Sequence, residues 1–207
     1  MKGKILTKAA LTAVVFVFLA GCTQQAPRYV GVDNPEVQAV ISMGLDRQDF
    51  EKAAADAVDS LLRSGVLSKP NGEKYVVAIG RIINDTTQKI DTDMFIKKIR
   101  TSMLNSGKAV VTSAITAGGN NDELIYQTRD LRTDDEFKQD TISEKGTLLA
   151  PELSLTGKII QQSKTIDKNK LVEFYFQLTL TNLKNGLAVW EEESVIGKVG
   201  DKKSVNW

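Results

Sequence analysis

The stretch LVEFYFQLTLTNLKNGLAVWEEESV, residues 171–195, alternates with a period of two over its first half. Val172, Phe174, Phe176, Leu178 and Leu180 fall on one side, and Glu173, Tyr175, Gln177, Thr179 and Thr181 on the other. Successive side chains of a strand point to opposite faces, so this pattern reads as a strand with one buried and one polar face, as in an antiparallel sheet covered on one side. Lys184, Asn185 and Gly186 then supply a hairpin turn, because Asn and Gly tolerate positive φ. Leu187 to Val195, with Trp190, returns as the partner strand. Tyr175 and Gln177 sit on the polar face, where either a helix covers them or they form a binding surface.

Working outward, Leu153, Leu155 and Ile159 mark another strand. Further upstream the period changes. Phe50, Ala54, Ala57, Val58, Leu61 and Leu62 recur at three- and four-residue spacing, which places them on one helical stripe, with Asp46 as N-cap and Gly65 as stop. Tyr75 to Ile79 is a short continuous apolar run after Pro70-Asn71-Gly72 and reads as a buried strand. A loop is expected over Asn84 to Lys89. A second helix starts near Asp91 or Thr92, presents Phe95, Ile96, Ile99 and Met103, and stops at Gly107. Ala109 to Val111, with Ile115, forms the next strand, so strand, helix and strand make a parallel crossover unit. Residues 116–150 are polar and charged, with helical turns expected around Glu123 to Leu131 and Asp135 to Lys145. The expected fold class is α+β: a mixed sheet of about five strands with amphipathic helices packed on it.

The N-terminus carries a different signal. Lys2, Lys4 and Lys8 precede an apolar run from Ala9 to Ala20, which is the charge pattern of a secretory signal peptide and too short to span a bilayer. Leu19-Ala20-Gly21-Cys22 follows, and Cys22 is the only cysteine. Residues 1–21 are therefore expected to be removed and residues 46–207 to form the globular domain; the quartet resembles a bacterial lipobox, which implies that residues 22–45 form a lipidated N-terminus, a short tether and an arm. That domain is expected to fold alone as a monomer.

Composition excludes several chemistries. The chain has 27 Lys plus Arg and 26 Asp plus Glu; losing the three leader lysines leaves 24 against 26, a formal charge of −2. The charges alternate in sign, as in Asp134, Asp135, Glu136, Lys138 and Asp140, so the basic stripe of a nucleic-acid binder is missing. Histidine is absent, and lipidation of Cys22 would leave no thiol. Zinc sites of His and Cys, Ser-His-Asp triads, Cys-His pairs and disulfides therefore lack their parts. Ala117-Gly118-Gly119-Asn120 lacks the spacing of a phosphate loop. No catalytic residue, cofactor or metal is expected.

The quartet Leu19-Ala20-Gly21-Cys22 resembles the lipobox of bacterial lipoproteins, in which the cysteine is acylated after cleavage; two or three acyl chains make a lasting anchor. Together with that quartet, the helix Asp49-Phe50 to Leu62, the strand and loop Val76 to Thr86 with Asn84-Asp85-Thr86, and the hairpin Leu183-Lys184-Asn185-Gly186 to Trp190 resemble the LpoB family of penicillin-binding-protein activators. The resemblance covers roughly residues 46–196 and extends more distantly to the secretion lipoprotein CsgG. It implies a fold like the N-terminal domain of TolB. It also implies a non-enzymatic outer-membrane lipoprotein, facing the periplasm, that binds a bifunctional peptidoglycan synthase and raises its activity.

Under that reading the partner-binding candidates are the loop Asn84, Asp85 and Thr86 and the turn Lys184 and Asn185, because loops at strand ends carry binding residues on a rigid scaffold. Ile83 would supply the buried contact. Asn84, Asp85 and Thr86 equally suit a local turn and capping device. One departure from the family is the short tether: fully extended, the chain from Cys22 to Asp46 reaches only about 80 Å, and a flexible chain of that length averages roughly 25–30 Å. The alternative function is a CsgG-like secretion or assembly subunit. Membrane-spanning strands for that role need about 9–11 residues each, and Glu191-Glu192-Glu193 would be costly against lipid.

Overall fold

The computed structural model describes residues 42–117 and 121–201. The expected leader, Cys22, most of the expected tether and arm, and Gly118, Gly119 and Asn120 lie outside those residues. Helix α1 spans Arg47–Ser64, strand β1 Tyr75–Asp85, helix α2 Asp93–Ser106, strand β2 Ala109–Val111 and helix α3 Leu124–Asp130; strands β3 (Leu153–Ile166), β4 (Asn169–Asn182) and β5 (Ala188–Asp201) complete the chain. The five strands form one sheet in the order β2-β1-β3-β4-β5. β1 pairs in parallel with β2 and β3, and β3, β4 and β5 pair antiparallel, so the sheet is mixed as the alternation and the crossover unit required.

The helices form where their apolar stripes are. Asp46 caps α1: its Oδ1 accepts from the backbone N–H groups of Gln48 and Asp49, and Asp49 Oδ2 accepts the Asp46 N–H in return, a reciprocal capping box. Gly65 and Gly107 end α1 and α2 in left-handed conformation, where glycine carries no steric cost. The stripes Phe50, Ala54, Ala57, Val58, Leu61 and Phe95, Ile96, Ile99, Met103 are all buried against the sheet. Phe176 of β4 meets Phe50 edge-on at 5.9 Å and lies 5.2 Å from Phe95, centring the core where both helices cross the sheet. Each fully buried side chain of this size contributes about 1.5–3 kcal/mol. Lys98 of α2 bridges to Glu51 of α1 at 2.7 Å, and that bond, ahead of Arg47, holds the Glu51 carboxyl below its ordinary range.

Val172, Phe174, Phe176, Leu178 and Leu180 all face this core, in the phase that the alternation predicts. Other bounds differ from expectation. β1 continues past Ile79 to Asp85, through an irregularity between Ile79 and Ile82, so Asn84 and Asp85 end a strand instead of opening a loop. Gly80 permits this: a Cβ there would stand 2.7 Å from the Thr156 methyl. β5 runs six residues past Val195. Lys198, a buried cation in an inward position, concealed the continuation. Ile115 lies beyond β2 and is exposed, because Thr112, Thr116 and Ala117 bond to the carbonyls of Val77 and Ile79 while Ile115 points away.

The turns expected around Glu123 to Leu131 form as α3 with a 3-10 turn at Leu131–Thr133, whereas Asp135 to Lys145 yields only the 3-10 turn Gln139–Thr141. No residue from 121 to 150 is buried. Side chains organise this segment from outside a core: Arg132 donates to the carbonyls of Ser143 and Glu144, Gln139 to those of Leu131, Asp134 and Phe137, and Tyr126 to that of Ala114.

Candidate functional site: the open face of the sheet

α1 and α2 pack on one side of the sheet, and among the described residues no helix covers the other side of β3, β4 and β5. The strand register places its residues in rows. Thr156, Thr179 and Glu191 form one row; Ile83, Lys158, Gln177 and Glu193 form the next; Asp85, Ile160, Tyr175 and Val195 form the third. Tyr175 and Gln177 are partly exposed there, and neither α1 nor α2 covers them.

The four strands position these groups rigidly. Gln177 Nε2 donates to Glu193 at 2.7 Å, Thr179 Oγ1 to Glu191 at 3.3 Å, and Lys158 pairs with Asp85 at 2.6 Å. Arg81, exposed at the irregularity of β1, pairs with no acidic side chain among the described residues. It forms one wall of a trough of about 400 Å³ with Ile83, Thr156, Lys158, Gln177 and Thr179. Arg81 and Ile83 also border a second trough of about 520 Å³, floored by Ile90 and Ile96 beside the start of α2. Ile83 is 52% exposed and Val195 49%. Among the described residues no three His, Cys, Asp or Glu side chains are arranged to hold a metal.

The candidates named from sequence fall into two places. Asn84 and Thr86 are engaged locally: Asn84 Nδ2 donates to the Gln88 carbonyl at 2.8 Å, Asn84 Oδ1 accepts from the Thr86 hydroxyl at 2.7 Å, and Thr86 Oγ1 accepts the Gln88 N–H at 3.2 Å. Gln88 Oε1 in turn accepts the Leu45 N–H at 2.8 Å, so the turn fastens the chain leading into α1. Ile83 and Asp85, by contrast, point onto the open face. Lys184 and Asn185 are exposed at the β4–β5 turn, where Gly186 takes φ of 74° and Asn185 Oδ1 accepts the Leu187 N–H.

That turn lies beside Leu153 in the register, and Asp85 beside Ile160, seven residues further along β3. At about 3.3 Å per residue the two places are some 23 Å apart along the strands. The structure does not bring them together. Arg81, Lys158 and Val195 were not among the sequence candidates, and no local motif marks them; Arg81 stands two residues before Ile83 on β1, and only the register brings Lys158 and Val195 to the same face.

The peptidoglycan-synthase activator LpoB family is matched over residues 49–196. Solved structures that resemble the chain include the LpoB C-terminal domain from Escherichia coli, at 13% identity over 72% of this chain and 99% of that one with a TM-score of 0.42. The LpoB C-terminal domain from Salmonella enterica follows at 12% identity, 72% and 98% coverage and 0.42. The NMR structure of E. coli LpoB gives 12% identity, 86% and 80% coverage and 0.37. No curated protein sequence matches the chain. The family match spans most of the sequence, from the first turn of α1 to the second half of β5, and the chain therefore belongs to the peptidoglycan-synthase activator LpoB family.

Proposed function

We propose that this chain is an outer-membrane lipoprotein, acylated at Cys22 and facing the periplasm, whose monomeric domain binds and activates a bifunctional peptidoglycan synthase. The single observation that carries this reading is the family match over residues 49–196. The sequence supports the anchor through Leu19-Ala20-Gly21-Cys22 and the non-catalytic role through the absence of histidine. Partner contact is assigned to the end of β1, with Ile83 as apolar anchor, Asp85 beside it, and Asn84 and Thr86 holding the turn in shape. Lys184 and Asn185, at the far end of the sheet, serve as a second contact. An anchor of this kind does its work by filling a pocket on the partner, and a few such residues carry most of an interface's energy.

Glycan polymerisation by the bifunctional synthase of the same genome, on lipid II substrate, tests it. The full-length lipoprotein in detergent should accelerate the reaction. Ile83→Ser should weaken the effect, and Asp134→Ser, in the solvated acidic run, should leave it intact. No acceleration and no binding at micromolar concentration would refute the activator reading.

A further inference from the structure

The open face divides by charge. Arg81 stands on β1, Glu191 and Glu193 on β5, and between them lie Lys158 of β3, which Asp85 of β1 holds at 2.6 Å, and the polar floor of Gln177 and Thr179. Adjacent strands are about 4.8 Å apart, so β1 and β5 are separated by about 14 Å. This is too far for the opposite charges to neutralise each other directly, and each acid is held by its floor residue instead: Glu193 by Gln177, Glu191 by Thr179. Arg81 has no such partner among the described residues.

Beside the charged rows, Ile83, Ile160, Tyr175 and Val195 place apolar surface on what the alternation makes the solvent side of the sheet. Contiguous apolar surface rimmed by polar groups on a rigid element marks a protein contact, and charges of both signs at fixed separation set its orientation.

We infer that the open face of β1, β3, β4 and β5 is the docking surface for a folded protein partner whose own surface carries a carboxylate beside an apolar side chain, set over Arg81 and Ile83, and a basic group about 14 Å away, set over Glu191 and Glu193. This rests on the activator reading and supplies its orientation: the synthase docks across the sheet with its acidic side toward β1. A partner rotated by half a turn would set acid against Glu191 and Glu193 and base against Arg81, so the charge division fixes one pose.

The test uses the full-length lipoprotein and the purified bifunctional synthase, with binding measured at low and at high salt. Arg81→Glu and Glu193→Arg should each weaken binding at least tenfold and flatten its salt dependence. Arg63→Glu, an equal charge change on the exposed side of α1, should stay within twofold. Circular dichroism melts establish that each variant is folded, and Arg81→Gln, expected to weaken binding less than Arg81→Glu, serves where the reversal lowers the melting point. Wild-type binding with the Arg81 and Glu193 variants also within twofold would overturn the docking surface and leave the activator reading standing. Absence of wild-type binding would overturn both. Self-association of the chain that Arg81→Glu abolishes, without synthase binding, would show that a second copy occupies the face and would likewise overturn the inference.

Discussion

Lys198→Met asks how the end of β5 and the start of α1 are held together. Lys198 is 7% exposed, and its Nζ lies 2.6 Å from the Gly44 carbonyl, 3.1 Å from Asp46 Oδ2 and 2.5 Å from Asp49 Oδ2. Methionine keeps most of the stem and removes the charge. Breaking a buried ion pair by deleting one partner costs about 3–5 kcal/mol, because the other charge is left uncompensated. Two features reduce that here. The Asp49 carboxylate keeps the Asp46 N–H as donor, and it sits in the first turn of α1, where the helix dipole favours an anion by about 0.3–1 kcal/mol. Asp46, with its side chain 30% exposed, recovers some hydration.

The expected loss is therefore at the lower end, about 3 kcal/mol, read from urea unfolding; at about 2–4 °C per kcal/mol for a domain of this size, the melting point falls by roughly 6–12 °C. Lys198→Met combined with Asp49→Asn removes the orphaned charge as well, and should recover about 1–2 kcal/mol relative to the sum of the single changes. A Lys198→Met variant within about 0.5 kcal/mol of wild type, the range of an ordinary surface substitution, would refute the reasoning. So would strict additivity in the double variant.

Phe176→Ala should cost about 3–5 kcal/mol, since its ring is 2% exposed and packs on Phe50 and Phe95, while Thr179→Ala, on the open face, stays within about 0.5 kcal/mol; equal effects in urea melts would mean the phase of β4 is wrong. The Glu152 carboxyl is held below its ordinary value first by the Lys69 ammonium at 2.7 Å and then by the Val76 N–H, against partial desolvation. A depressed folded pKa adds stability above the unfolded pKa and loses it as pH falls through the folded one. Wild type should therefore exceed Glu152→Gln at pH 7 by a margin that disappears on acidification, and because the Glu152 side chain is 42% exposed and screened by solvent the margin is about 0.5 kcal/mol. Pulse-labelling with radioactive palmitate should mark wild type and leave Cys22→Ala unlabelled; equal labelling would remove the anchor.

What was legible from sequence is what periodicity and local chemistry control. The stripes of α1 and α2, their glycine stops, the phase of β4 and the parallel crossover are each written within a window of a few turns, because 3.6- and two-residue periods are properties of the backbone itself. Residues 116–150 resisted the same reading, since side-chain bonds to distant carbonyls hold them and no buried stripe forms. The full length of β5 was hidden for a related reason: a lysine in an inward position breaks the apolar alternation, and its two acidic partners lie about 150 residues away in the chain.

The candidate site divides in the same way. Asn84, Asp85 and Thr86 could be named from their turn chemistry, and two of the three prove to be bonded within their own turn. Whether Tyr175 and Gln177 met a helix or water could not be read from β4, because alternation states that two faces differ and is silent on what covers them. Only the tertiary packing sets α1 and α2 both on the Phe176 side, so that among the described residues no helix covers the other face. Only the register sets Ile83, Lys158, Gln177 and Glu193 in one row, joining residues from four strands by hydrogen-bond ladders that leave no trace in sequence spacing.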